Sequence, residues 1–287
     1  MSSEASATRA TPYVKLATLA DLEELVDVAF RAFIHDPVMN YFGNVKKMLE
    51  EGVDLKACRD RRMFYAFLIR ACFLVGGRVT VVMGRAEGST EDRILAGALW
   101  LPPRRRLAAW MVPTVLRAGV VSVLKGWGLT GFIRIVLDYQ ITCERTMHEL
   151  FKVKAKKKSP EDSWYLQLTF TDPDYRGRGF MSLLVRDAFA HAPNDTFTLE
   201  ATTDKSRDQY THLGFEVCLV IFLFGESPSN FCLLERHFHQ AWPRKIGQAW
   251  SLRFGRRCGG GGMLGYGKVA LKSRLIHAAR TDNDLEY

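Results

Sequence analysis

The chain has 287 residues, 47% hydrophobic and 25% charged, with a formal net charge of +9. That balance excludes a disordered chain and suits a globular protein that buries a full core, with length for one or two domains. Six cysteines, Cys58, Cys72, Cys143, Cys218, Cys232 and Cys258, lack the paired spacing of a disulfide scaffold or a zinc site, so a reducing, cytoplasmic compartment is expected.

Residues 1–12 are small and polar, without a targeting pattern, and are expected to be disordered. Residues 14–17 read as a first strand. Thr18-x-x-Asp21 then offers a helix start, followed by an apolar face of Leu22, Leu25, Val26, Ala29, Phe30 and Phe33. His35-Asp36-Pro37 ends that helix. Residues 46–74 read as one long helix or two, and 78–85 and 94–101 as strands of a hairpin turning across 87–90. Pro102 and Pro103 stop the second strand.

Residues 107–150 form a helical, aromatic and basic insertion. Arg117, Lys125 and Arg134 interrupt it, and no uncharged run reaches the ~20 residues of a membrane span. The insertion is expected to cover a pocket, with Trp110, Trp127, Phe132 and Tyr139 as candidate lining. The lysine-rich run 152–158 reads as a solvated loop, with no firm case for nucleic acid.

The stretch 166–215 is the most informative. It reads as a strand (LQLTFT), a glycine turn (DPDYRGRG), a helix (FMSLLVRDAFAHA), a strand (FTLEATT) and a short helix (DQYTHLGF). In the first strand Leu166, Leu168 and Phe170 alternate with Gln167, Thr169 and Thr171, a period of two. Gly177 and Gly179 open backbone conformations closed to other residues. The helix that follows carries one apolar stripe of Met181, Leu184, Val185, Ala188, Phe189 and Ala192. Free N–H groups, the positive end of the helix dipole, Arg176 and Arg178 together suit a pyrophosphate.

Pro173-x-x-Arg176-Gly177-x-Gly179 between strand and helix resembles the acetyl-coenzyme A signature of the GCN5-related N-acetyltransferase (GNAT) superfamily. Tyr210-x-x-x-Gly214-Phe215 resembles that superfamily's closing motif. The segments AFRAFIHDPVMNYF and GALWLPP resemble a GNAT subgroup that includes puromycin acetyltransferase and fungal relatives. Met181 stands where family members usually have Gly or Ala, and its helical spacing puts the thioether in core packing.

The resemblance implies an α/β fold with a mixed, mostly antiparallel splayed sheet flanked by helices. It implies an acetyltransferase domain over 13–224, with a helical and basic insertion at 103–160. The backbone of Thr169, Phe170 and Thr171 would pair with the pantetheine arm of acetyl-coenzyme A. Arg176, Gly177, Arg178, Gly179, Phe180, Met181 and Ser182 would hold the pyrophosphate. Glu200 matches a position that serves some members as general base, and Tyr210 matches the tyrosine that protonates the departing thiolate.

Those residue types fit the chemistry, because an ammonium must lose a proton before attacking a thioester and the thiolate must gain one. The expected activity is acetyl transfer to the amine of a small molecule. A protein amine as acceptor, or a catalytically silent acetyl-coenzyme A-binding module, are the alternatives. Residues 225–287 read as an irregular tail, with 218–224 as one closing strand, 269–271 as a poor substitute for a second, and 259–262 as a linker.

Overall fold

The computed structural model describes residues 11–85, 91–108, 110–154, 159–223, 229–236, 250–253 and 273–275. Strand β1 (Tyr13–Leu16) pairs antiparallel with β2 (Arg78–Arg85), which pairs with β3 (Asp92–Leu101). The hairpin turn expected across 87–90 falls outside the described residues, and the ladder reaches Arg85 and Asp92 on either side of it.

Three helices separate β1 from β2: α1 (Leu22–Ala32), α2 (Pro37–Phe42) and α3 (Leu55–Leu74). The chain enters α1 through a tight turn in which Thr18 N donates to Asp21 Oδ2 at 2.7 Å. Leu25, Val26, Ala29 and Phe30 are buried, as the helical spacing requires. α1 ends at Ala32, short of Asp36, which caps α2, its Oδ1 accepting from Val38 N at 2.9 Å and Met39 N at 3.1 Å. The helix expected over 46–74 is shorter than that span. Gly52 sits at φ +90°, outside the helical region, and Asp54 Oδ2 accepts from Glu50 N at 3.0 Å. The helix therefore begins only at Leu55.

The insertion supplies α4 (Val112–Ala118), α5 (Val120–Ile133), a π-helical segment (Arg134–Gln140) and α6 (Ile141–Lys154). Then come β4 (Trp164–Thr171), α7 (Phe180–His191), β5 (Phe197–Ala201), α8 (Asp204–His212) and β6 (Glu216–Leu223). Three more strands follow among the described residues: β7 (Ser229–Arg236), β8 (Trp250–Arg253) and β9 (Ser273–Leu275). The sheet order is β1-β2-β3-β4-β5-β7-β6-β8-β9, and only the β4–β5 and β6–β8 pairs are parallel. The mixed, mostly antiparallel sheet expected from the sequence is what forms.

The reading of residues 225–287 as an irregular tail needs correcting. Residues 229–236 form β7, which runs antiparallel to both β5 and β6 and lies between them. Its run Phe231-Cys232-Leu233-Leu234 does not alternate. Long-range pairing, which satisfies two strand edges at once, therefore fixes this strand where local pattern does not. Residues 259–262 and 269–271 fall outside the described residues.

The sheet carries a core on each face. Val81, Ile94, Leu99, Leu168 and Phe170 pack with α1, α3 and the insertion. Val82, Leu95, Trp100, Leu166 and Leu199 pack with α7. Neighbouring residues of β2 and β3 thus point to opposite faces, as a pleated strand demands. In β4 the alternation breaks. Leu168 faces Leu99 but Leu166 faces Trp100, so Gln167 is an extra residue in the ladder. Leu166 consequently joins the α7 side and not the face of Leu168 and Phe170, which corrects the uninterrupted period of two expected for this strand.

Asp172, fully buried at the end of β4, accepts from Arg31 Nη2 at 2.9 Å, from Arg93 Nη2 and from Asp174 N at 3.1 Å. It ties α1, β3 and the glycine turn together. Both arginines keep about a third of their side-chain surface in water, so they are rehydrated in part once the carboxylate is removed. Asp172→Ala is expected to cost roughly 2–3 kcal/mol, read as a lower urea midpoint with an unchanged slope. An unaltered midpoint would show that this junction adds nothing to stability.

Candidate active site

β4 and β5 run side by side for three residue pairs, Trp164–Phe197, Tyr165–Thr198 and Leu166–Leu199, and then part. β4 continues to Thr171 with β3 on its other side. Between Gln167 and Thr171 its inner edge therefore has no strand partner among the described residues. A cavity of ≈ 1020 Å³ occupies the opening.

At one end of the cavity lies the glycine turn. Asp172 opens that turn, its side chain accepting from Asp174 N, and Pro173 to Tyr175 form one 3₁₀ turn. Gly177 and Gly179 both take φ +78°, and a Cβ built on either meets no protein atom within 4 Å. The turn thus leaves open space where side chains would otherwise stand. It leads directly into α7, whose first N–H groups have no helical partner.

Gly177, Gly179, Phe180, Met181, Ser182 and Arg186 line this end of the cavity. Met181 also packs against the α7 side of the core. Arg176 lines the cavity while its Nη2 donates to Ala32 O at 2.7 Å, fastening the turn to the end of α1. Arg178 does not line it. Its guanidinium lies over the Tyr175 ring, 4.7 Å from the centroid.

Thr169, Phe170 and Thr171 form the middle wall. Thr169 Oγ1 donates to Gly97 O at 3.2 Å, and Phe170 is buried. Gln167 also lines the cavity, and its Oε1 is buried with no hydrogen-bond partner among the described residues. A polar atom in that state calls for a partner from a ligand or water.

Glu200 and Tyr210 face the same cavity. Glu200, on β5 just past the parting of the strands, accepts at Oε2 from Tyr165 Oη at 2.6 Å and from Tyr139 Oη at 2.7 Å. Burial pushes its carboxyl above the usual carboxylate range, opposed by those two hydrogen bonds and by the charge of Arg106. Tyr165 and Tyr139 are in turn held protonated, first by burial and then by the carboxylate beside them.

Arg106 lies 4.6 Å over the Tyr165 ring. Its Nη2 donates to Pro160 O at 2.8 Å, Thr198 Oγ1 at 3.0 Å and Ser163 Oγ at 3.1 Å. That network fixes the face from which Tyr165 approaches Glu200.

Tyr210 projects from α8, which Thr203 caps by accepting from Ser206 N at 3.1 Å. Its ring meets Phe215 edge to face, centroids 5.7 Å apart. Burial raises its pKa, and its hydroxyl has no hydrogen-bond partner among the described residues. A proton donor needs both properties: the phenol stays protonated, and its hydroxyl is not already committed elsewhere. Gly214, at φ +88°, takes the left-handed conformation that closes the end of the helix.

Of the four aromatic residues expected to line the pocket, Phe132 and Tyr139 do so. Trp127 packs into the core against Phe64, ring centroids 4.7 Å apart, and Trp110 is exposed. Tyr165, Arg106, Gln167 and Asp36 had carried no expectation of a place in the site. The bulge at Gln167 accounts for Tyr165, because it turns that residue to the insertion side of the sheet, where Glu200 is reached.

Residues 102–215 match the acetyltransferase (GNAT) family. No curated protein sequence matches the chain. Among solved structures, the chain is similar to a Corynebacterium glutamicum protein described as histone acetyltransferase HPA2 and related acetyltransferase, at 20% identity and a TM-score of 0.49, over 82% of this chain and 99% of that one. It is similar to a Drosophila melanogaster polyamine N-acetyltransferase at 13% identity and a TM-score of 0.47, over 79% and 100%. It is also similar to yncA of Salmonella typhimurium, a putative acetyltransferase solved with acetyl-CoA, at 12% identity and a TM-score of 0.42, over 82% and 99%. The matched segment runs from the end of β3 to the start of β6 and contains the parted strands, the glycine turn, Glu200 and Tyr210. The match to the acetyltransferase (GNAT) family thus falls on the part of the chain that holds the candidate site.

Proposed function

We propose that the protein transfers the acetyl group of acetyl-coenzyme A to the amine of a small molecule with a largely apolar body. One observation carries this reading: a carboxylate and an uncommitted tyrosine hydroxyl face a single cavity that continues to the open glycine turn. The unpaired edge of β4, the unpartnered Gln167 Oε1 and the space beside Gly177 and Gly179 fit a long ligand ending in phosphates. Acetyl-coenzyme A supplies an activated acyl group as a thioester.

The chain's own residues would manage the protons. Glu200 takes one from the acceptor ammonium, directly or through water, and its raised pKa makes it a stronger base than an exposed carboxylate. The freed amine attacks the thioester carbonyl carbon, a C–N bond forms and the C–S bond breaks. Tyr210 gives its proton to the departing thiolate, and the nitrogen's second proton passes through water to restore the Tyr210 phenol.

The walls beyond Glu200 support this class of acceptor. Phe42, Phe64, Phe67, Val123, Phe132 and Val136 line that end of the cavity. A peptide or a polyhydroxylated amine would bury amide or hydroxyl groups there without partners, at roughly 1–3 kcal/mol each. An apolar body instead gains about 25 cal/mol for each Å² it removes from water. The resemblance of AFRAFIHDPVMNYF and GALWLPP to the puromycin acetyltransferase subgroup agrees with a small acceptor.

Glu200→Gln is expected to lower turnover about 10²- to 10⁴-fold and to remove the acid limb of the pH–rate profile. Stability should move the other way. The folded-state pKa is raised above the unfolded value, so the protonated carboxyl favours folding at low pH, and that contribution is lost as pH rises through the folded pKa. Above that window Glu200→Gln should melt at a higher temperature than the parent, with the difference fading in acid. A variant with parental turnover and pH profile would make Glu200 structural.

Tyr210→Phe removes only a hydroxyl and keeps the ring contact with Phe215. Turnover should fall about 10²- to 10⁴-fold while the dissociation constant of coenzyme A, measured by calorimetry, stays within a few-fold of the parent. Parental turnover, measured where chemistry limits the rate, would remove Tyr210 as the acid.

A further inference from the structure

The outer face of the insertion is unusual for a protein surface. Residues 120–149, helical on both sides of a kink at Gly128 (φ 65°, ψ −173°), are long and apolar enough to cross a membrane by length and composition alone, with a mean hydropathy of 1.6 in the most apolar window, yet only 17% of that window is buried. Lys125 and Arg134 fall within that run, and no uncharged stretch of it reaches the ~20 residues of a span. A helix apolar on all sides normally lies inside a core. Here one side does, since Val120, Val123, Leu124 and Val136 face the cavity. The other side presents Val121, Leu129, Ile133 and Leu137 to solvent, with Leu129 69% exposed. Val121 precedes the kink at Gly128, and Leu129, Ile133 and Leu137 follow it. Trp110, also on the insertion, is 78% exposed.

The charges around this patch have one sign. Residues 102–137 contain no Asp or Glu, but include Arg104, Arg105, Arg106, Arg117, Lys125 and Arg134. Arg106 and Arg134 are spent inward, Arg134 Nη1 donating to Tyr41 O at 2.7 Å, and Arg104 pairs with Asp162 at 2.8 Å. Arg105, Arg117 and Lys125 are exposed and have no acidic partner among the described residues.

We propose that this face docks the protein on an anionic lipid bilayer, lying in the interface without crossing it. Exposed Leu, Ile and Val side chains, a tryptophan and unpaired cations are the composition of an interfacial helix. The helix cannot leave the body to span. Tyr139 bonds to Glu200, and Tyr41 Oη donates to Asp138 at 2.8 Å, so insertion would break the site itself. A second copy packed on this face about a two-fold axis would set the same cations against each other, whereas an anionic leaflet neutralises them at a gain near fivefold in partitioning per basic residue.

The test is sedimentation of the full chain with vesicles of phosphatidylcholine alone or of phosphatidylcholine and phosphatidylserine in equal parts. The protein should pellet with the second and not the first, and high salt should release it. Arg117→Gln combined with Lys125→Gln should weaken partitioning by roughly 25-fold, at about fivefold per charge. Leu129→Asp should weaken it independently, through the apolar term. None of these three residues lines the cavity, so turnover on a soluble amine should be unchanged and serves as the control for folding. No pelleting with phosphatidylserine vesicles, equal pelleting with both, or indifference to both variants overturns the proposal. A dimer in buffer that Leu129→Asp dissolves, without vesicle binding, assigns the face to a second copy and overturns it equally.

Discussion

The candidate site is built around the place where two parallel strands stop pairing. β4 and β5 share three residue pairs and then diverge, leaving five residues of β4 with one edge unpaired in the middle of a sheet. Unpaired backbone groups are normally confined to sheet edges, where water satisfies them. Keeping such an edge inside the protein makes sense where something else supplies the partners, and the cavity provides the room for an extended ligand. The glycine turn and the start of α7 follow β4 in the chain, Glu200 lies on β5 and Tyr210 on the helix after it, and all border that opening.

The bulge at Gln167 gives the opening its chemistry. An uninterrupted β4 would have sent Tyr165 to the same face as Gln167, Thr169 and Thr171. The extra residue turns Tyr165 toward the insertion, where its hydroxyl and that of Tyr139 meet on one oxygen of Glu200. Both hydrogen bonds land on Oε2, and Oε1 accepts none among the described residues. A carboxylate held by one oxygen is oriented while the other stays available for a proton. Asp172, paired with Arg31 and Arg93, fixes the far end of the same strand.

This division explains what the sequence made legible. The order of strand, glycine turn, helix, strand and tyrosine helix depends on local signals: turn glycines, helical spacing and caps. It placed Gly177, Gly179, Glu200 and Tyr210 on elements that all border the cavity. Tyr165 was hidden because a bulge leaves no mark in a run such as YLQLTFT, where the apparent period of two continues through it. Arg106 was hidden because its partners, Ser163 and Thr198, are distant in sequence. β7 was hidden for a similar reason, being specified by the strands on either side of it. Arg178 shows the converse, since a cation within a motif can be taken up by a neighbouring ring.

The central claim, that the unpaired β4 edge and the glycine turn receive acetyl-coenzyme A as an added strand with its phosphates at the start of α7, is tested most directly by residue-resolved hydrogen exchange. On addition of acetyl-coenzyme A, amides within residues 167–171 and 177–182 should exchange markedly more slowly, while those of β2, already paired on both sides, should not change. Protection that leaves both of those segments untouched, or that falls elsewhere on the sheet, would contradict the account.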